Sequence, residues 1–268
     1  MTPTNARAET PTTTTWPSYP DLAGKVAVVT GGSDSLGAAT CRALGANRAL
    51  VAVNGRNESA IDAVVNDVIG AGGQAVAAPA DCTDANALAA MRDEVTERLG
   101  PVDVLIAFAG GGRQPQPVSE ISEAEWRDDI ERNLTATFLT VKTFLPGMLE
   151  RRTGSIVTMA SSAARLPGGA PIAYAAAKAG VIVFSQQVAK QVGPGNIRVN
   201  CLAPSTVLNE RMERLMPAEQ QRQLAAMYPL GRLGVPGDVA QAALFLASDA
   251  SSWITGVTLD IAGGQVTR

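Results

Sequence analysis

Short runs of β-branched and aliphatic residues alternate along the chain with longer, Ala-rich segments in which apolar residues recur at helical spacing. The runs 26–30, 49–54, 74–79, 102–107, 155–159, 198–202 and 258–260 read as strands, and their nearly unbroken apolar character predicts strands covered on both faces. Between them, 36–46, 59–71, 85–99, 123–151, 173–192 and 236–247 carry the helical period. Strand and helix in strict alternation predict βαβ units and a parallel sheet. No break in composition divides the series, so the expectation is one α/β domain, a doubly wound parallel sheet of Rossmann type.

Two stretches stand outside the alternation. Residues 1–20, rich in Thr and Pro, lack the apolar core of an export signal and read as a flexible tail before a domain at 21–268. Residues 205–232 fit no strand; Met212, Leu215, Met216, Leu224 and Met227 in a polar, Pro-punctuated context suggest a lid over a substrate site.

Composition narrows the chemistry. The 268 residues contain no histidine, which excludes a Ser/His/Asp or Cys/His triad and a His-ligated metal site. Proton transfer must then fall to a group whose pKa has been moved, and the three tyrosines Tyr19, Tyr174 and Tyr228 are candidates. A net charge of −3 without Lys/Arg runs predicts neither nucleic acid nor a membrane surface as partner, and no uninterrupted apolar run reaches the roughly 18 residues of a span. Cys41, Cys82 and Cys201 are odd in number and widely spaced, which reads as reduced thiols in a cytoplasmic protein.

The first predicted strand runs into Gly31, Gly32, Ser33, Asp34, Ser35, Leu36 and Gly37 before a helix begins. Small residues at such a turn let the backbone approach a pyrophosphate, and the helix N-terminus offers oriented N–H groups. Further on, Tyr174 and Lys178 lie four apart, on one helix face, where an ammonium would favour phenolate and lower the tyrosine pKa.

These segments together resemble the short-chain dehydrogenase/reductase family, over about residues 22–264, with a pattern nearest to the 3-oxoacyl-acyl carrier protein reductases. Thr30, Gly31 and Gly37 match the family's glycine motif, with Ser35 in place of its middle glycine. The resemblance implies a catalytic set of Asn133, Ser161, Tyr174 and Lys178. Tyr174 would transfer the proton, Lys178 would lower its pKa and grip the ribose, and Ser161 would hold the substrate oxygen. Asn133 would kink its helix and complete a proton relay. The cofactor would meet Gly31, Ser33, Asp34, Ser35, Leu36 and Gly37 in the first turn, then Asn54, Arg56, Asp81 and Cys82 beyond the second and third strands. Ala109, Gly110, Tyr174, Lys178, Pro204, Val207 and Asn209 would line its nicotinamide end.

Several positions depart from the family. Ala107 and Phe108 stand where it has two asparagines, Ser205 replaces a glycine and Asn209 a threonine, which implies local repacking. No acid follows the second strand, and Arg56 is suited to clamp a 2′-phosphate, so NADP(H) is favoured; Asp34, which would repel that phosphate, argues for NAD(H). The implied partners are a small carbonyl or alcohol substrate, or an acyl thioester, and further copies of the chain in a homotetramer packed through the helices from Glu123 and Ala173. Alternatives are an NAD-dependent polyol or hydroxysteroid dehydrogenase, and a cofactor-binding regulatory relative with little turnover.

Overall fold

The computed structural model describes residues 15–267. Seven strands form one parallel sheet in the order β3-β2-β1-β4-β5-β6-β7. They are β1 (Val26–Thr30), β2 (Leu50–Val53), β3 (Gln74–Ala77), β4 (Val104–Ala107), β5 (Gly154–Met159), β6 (Ile197–Pro204) and β7 (Thr258–Ile261). The helices are α1 (Ser35–Ala46), α2 (Glu58–Gly70), α3 (Ala85–Leu99), α4 (Glu123–Ile130), α5 (Ala136–Arg151), α6 (Ile172–Val192), α7 (Glu210–Leu215), α8 (Ala218–Ala225) and α9 (Pro236–Ala247). This is the expected doubly wound α/β architecture in a single domain.

The unbroken apolar runs do what burial on both faces requires. One core layer joins Val29, Val53, Ile106 and Leu202 to Cys41, Leu44 and Leu244 of α1 and α9. The opposite layer joins Val28, Leu105 and Ile156 to Met91, Val141 and Phe144 of α3 and α5. Strand order reverses between β1 and β4, whose register pairs Thr30 with Ala107. The chain therefore departs to opposite sides at the carboxyl ends of these two strands, and a crevice opens there.

Two expectations are corrected by long-range packing. First, Trp16 and Tyr19, expected in a flexible tail, pack against the α1–α9 core layer. Asn47 pins this segment, accepting from Tyr19 N at 2.6 Å and donating to Pro17 O at 3.0 Å. Residues 1–14 lie outside the described part of the chain. Secondly, the long helix expected over 123–151 is two helices joined by a π turn, Glu131–Thr135. Helix α6 with its short extension to Gly195 is long and apolar enough to cross a membrane by length and composition. Here it is a core helix, with Ala173, Ala177, Val181, Ala189 and Val192 buried along one stripe.

Residues 205–232 form an excursion: an extended strap, then α7 and α8, then a return that ends at a left-handed Gly231 (φ 67°). The strap bridges Val207 to Gly234 before the chain enters α9.

Candidate active site

A crevice of about 700 Å³ lies over the carboxyl ends of β1, β4 and β5. Its floor is the turn from β1 into α1. Gly31 has φ 65°, and a Cβ at Gly37 would fall 2.0 Å from Gly31 O, so helix and turn meet with no room for a side chain. The Asp34 carbonyl accepts the amides of Gly37 and Ala38 at 3.1 and 3.2 Å, while its carboxylate caps nothing. Ser35 adopts φ 42°, the left-handed region that the glycine it replaces would enter freely. The turn thus keeps the backbone shape of a phosphate cradle despite the serine.

Beyond β2 the residues divide their work. Asn54 is buried, and its amide nitrogen donates to Ala78 O and Ala80 O at 2.9 and 3.1 Å while its oxygen accepts from Cys82 Sγ at 3.3 Å. That side chain therefore ties β2 to the end of β3, with both amide protons used. Burial pushes the Cys82 thiol up to about 11. Asp81 accepts from Thr83 N and Thr83 Oγ1 at 2.9 and 2.7 Å, bonds that hold its carboxyl below the usual range. Arg56 is the exposed group here, with a side chain 73% accessible and Nη1 3.8 Å from Asp81 Oδ2. At Gly55, a Cβ would lie 2.4 Å from Ser33 Oγ. Any acid at position 55 would have to displace Ser33.

At the end of β4 the expected repacking takes a definite form. Ala107 stays in register with Thr30, and the buried Phe108 joins the core layer of Val29, Val53 and Met159. Thr30 Oγ1 links the two strand ends, accepting from Ala109 N at 3.3 Å. The Gly110–Gly111 pair then runs across the π turn. Asn133 Nδ2 donates to Gly111 O at 3.1 Å, and Gly111 N donates to Asn133 Oδ1 at 3.0 Å. In the widened turn the Asn133 carbonyl accepts from Thr137 Oγ1 at 2.7 Å. A Cβ on Gly110 would fall 2.5 Å from Asn133 Oδ1 and 3.2 Å from Lys178 Nζ, so this glycine is the spacer between loop and helix.

Ser161 follows β5 and lines the crevice, whereas the adjacent Ser162 does not. Its Oγ accepts from Ala163 N at 3.2 Å, leaving the hydroxyl proton free to donate. Tyr174 and Lys178 project from the first turns of α6 toward the same space. Lys178 is buried, and Nζ donates to Met159 O at 2.8 Å. Nζ also lies 5.6 Å from the centroid of the Tyr174 ring.

Burial raises the Tyr174 pKa, offset in part by the Ser161 hydroxyl. Burial brings Lys178 down to about 8. The group that titrates near neutrality in this arrangement is the lysine.

All of the sequence-derived cofactor and catalytic residues line the crevice except Asn133, which lies beneath its wall. Asn209 lines it too, but its side chain is spent capping α7, accepting from Met212 N at 2.9 Å. The sequence reading missed Gly111, Arg132, Met159 and Ser205. Met159 and Gly111 act through backbone atoms, which leave no trace in residue type.

A parallel sheet with a glycine cradle at its switch point and a Ser, Tyr and Lys meeting above it defines a nucleotide-dependent oxidoreductase of the doubly wound class. Comparison with known proteins agrees. Residues 31–265 match a family model described as enoyl-(acyl carrier protein) reductase, and the chain belongs to the short-chain dehydrogenase/reductase family, whose members act on CH–OH and C=O groups. It is 36% identical over 243 residues to a 3-oxoacyl-acyl-carrier-protein reductase of Chlamydia pneumoniae, covering 91% of this chain and 97% of that protein. It is 37% identical over 243 residues to the cis-4-hydroxycyclohexanecarboxylate dehydrogenase of Sinomonas cyclohexanicum, with the same coverage. A crystal structure of a 3-oxoacyl-acyl-carrier-protein reductase from Brucella melitensis with bound NAD superposes with a TM-score of 0.86 at 32% identity, covering 93% of this chain and 94% of that one.

Proposed function

We propose that this protein is an NADP(H)-preferring carbonyl reductase that interconverts a ketone and a secondary alcohol, resembling the 3-oxoacyl reductases in the shape of its site. The observation that carries the cofactor preference is the trio of Ser33, Gly55 and Arg56. The Ser33 hydroxyl fills the space an acid at position 55 would need, and Arg56 stands exposed beside it, a guanidinium able to pair with a 2′-phosphate. Asp34 and Asp81 oppose that phosphate, which keeps NAD(H) as the second reading, and a relative of this fold binds NAD.

The residues present fit a dinucleotide: a side-chain-free cradle at Gly31 and Gly37, and a wall at Pro204, Val207 and Asn209. The nicotinamide, when bound, supplies or accepts the hydride. Ser161 donates its free hydroxyl proton to the substrate oxygen, where charge develops as the carbonyl carbon is reduced. Tyr174 gives that oxygen its phenolic proton and is reprotonated from the Lys178 side of the crevice. Lys178 holds its position through Met159 O and presents its remaining N–H groups to the ribose. Asn133 keeps the Gly111 peptide in place, and with it the wall opposite Tyr174. The excursion with α7 and α8 closes over the substrate as a lid.

Measuring kcat/KM for NADPH and NADH against a panel of ketones and 3-oxoacyl thioesters tests this reading. NADPH is expected to be favoured at least tenfold, and Arg56→Ala to remove that preference; equal use of both, unchanged by Arg56→Ala, would refute it. Loss of no cofactor absorbance with any substrate, despite tight binding, would support the regulatory alternative.

Two further properties belong to the proposal. Trp126, Phe138, Leu149 and Val183 are exposed apolar residues on α4, α5 and α6, which supports packing of further copies through these helices in a homotetramer. The three cysteines are free and buried, which supports a reducing, cytoplasmic setting. Sedimentation of the purified protein decides the first, and fractionation of its host cell the second.

A further inference from the structure

Tyr228 is a buried tyrosine with no part in the chemistry above, placed where the excursion from β6 returns to the body of the protein. Its hydroxyl lies 3.0 Å from Ser205 Oγ and accepts from Thr206 N at 3.2 Å. Ser205 Oγ donates to Gln265 Oε1 at 2.6 Å. These bonds have one self-consistent direction. An amide oxygen only accepts, so the serine proton points at Gln265; the tyrosine proton then points at Ser205, and the tyrosine oxygen is left to accept from Thr206.

The same contact is built a second time in the backbone. Leu230 N donates to Gly263 O at 3.1 Å. Gly263 has φ 54° and a Cβ there would press on the Tyr228 ring, while a Cβ at Gly264 would fall 2.8 Å from Pro229. Residues 228–230 and the segment after β7 are therefore fitted together without space for a side chain at either glycine. On its other edge the strap is held by Gly234, which donates to Thr206 O at 3.1 Å and accepts from Leu208 N at 2.8 Å. Thr206 is thus gripped from both sides, and its neighbours Pro204, Ser205, Val207 and Asn209 face the crevice.

We propose that Tyr228 and Gln265 are positioning residues for the nicotinamide half of the crevice: through Ser205 and Thr206 they lock the strap against the C-terminal segment, so that the wall is set before the cofactor arrives. This rests on the reading that Pro204, Val207 and Asn209 meet the cofactor. It makes the segment after β7 part of the site, although it does not touch the reacting atoms.

The test compares wild type, Tyr228→Phe, Gln265→Ala, the double variant, Ser205→Thr, Ser205→Ala and a chain ending at Gly264. Dissociation constants for NADPH and NADH are read by fluorescence, and amide exchange at Thr206 is read by NMR or mass spectrometry without cofactor. Tyr228→Phe is expected to raise the cofactor dissociation constant and KM about five- to tenfold, the size of one buried hydrogen bond, with kcat at saturating cofactor within about twofold. Thr206 exchange should quicken. Gln265→Ala and the truncation should act in the same direction, the double variant should be no weaker than the worse single one, and Ser205→Thr should rescue what Ser205→Ala loses. Wild-type affinity and unchanged Thr206 exchange in Tyr228→Phe would overturn the proposal, as would single effects that simply multiply. Should Tyr228→Phe fail to fold, Gln265→Ala carries the same decision. A wild type that binds neither dinucleotide overturns the function reading instead, and Thr206 exchange in the cofactor-free protein still decides the lock.

Discussion

Lys178 Nζ sits 5.6 Å from the centre of the Tyr174 ring and spends one of its protons on Met159 O, 2.8 Å away. The ammonium is fixed by the strand end rather than by the phenol. Burial then acts on the two groups in opposite senses, raising the tyrosine and bringing the lysine to about 8. In the cofactor-free protein the lysine is charged below that value and neutral above it. If its charged form grips the ribose, cofactor affinity should be constant below pH 8 and fall as pH rises through it, approaching tenfold per pH unit. No histidine titrates nearby, and the crevice thiol Cys82 stays protonated to about 11. NADPH titrations from pH 6 to 9.5 check this; Lys178→Met should bind weakly with a flat profile, and a flat wild-type profile would assign the ribose grip elsewhere.

Tyr174→Phe keeps the ring that fills the space against Gly112 and removes only the hydroxyl. Turnover should fall by about 100- to 10,000-fold, the usual worth of a positioned proton donor, while NADPH affinity and thermal midpoint stay near wild type. Ser161→Ala should lose about 100-fold or more in kcat, as an oxyanion donor does. A Tyr174→Phe protein with near-normal kcat would exclude the proposed proton path.

Ser35 stores strain at φ 42°, where a Cβ crowds the backbone. Ser35→Gly should stabilise the fold by about 1 kcal/mol, a rise of about 2–4 °C in Tm for a chain of this size. Cofactor affinity should hold or improve, since the cradle already has the shape the glycine prefers. Calorimetry on the two proteins decides it, and an unchanged or lower Tm would show that the serine hydroxyl repays the strain.

How much of this was legible in the residues follows from how local each cause is. Helix α3 ends where expected because Asp84 caps it through Asn86 N and Ala87 N at one end and Gly100, at φ 98°, stops it at the other. Tyr174 and Lys178 were legible as a pair because a spacing of four puts them on one helix face, whereas Ser161 was legible only through the family resemblance. A kink at Asn133 was expected from the resemblance, but its form as a π turn over Glu131–Thr135, and the bond from Gly111 N 22 residues away, were not. Trp16 and Tyr19 looked like tail because their partners lie on α1 and α9. Adjacency on a helix face also does not reveal how deeply both groups are buried, which raises the tyrosine and lowers the lysine.

Gly110 yields the sharpest steric forecast. Its backbone has φ 140°, and a methyl group there would stand 2.5 Å from Asn133 Oδ1 and 3.2 Å from Lys178 Nζ. Neither neighbour can retreat freely. Asn133 is held by Gly111 and by Asp129 O at 2.9 Å, and Lys178 by Met159 O. Gly110→Ala must therefore push the loop off the π turn or tilt the lysine, and a displacement of about 1 Å at such a site costs about 100-fold in rate. The loss should appear in kcat and in cofactor affinity together, because Lys178 serves both. Gly111→Ala is the comparison: at φ 159° it carries backbone strain as Gly110→Ala does at φ 140°, but a Cβ there would meet nothing within 4 Å. It should be far milder, within about tenfold of wild type. Equal effects of the two substitutions would mean that the loop, rather than the Asn133–Lys178 spacing, sets the rate.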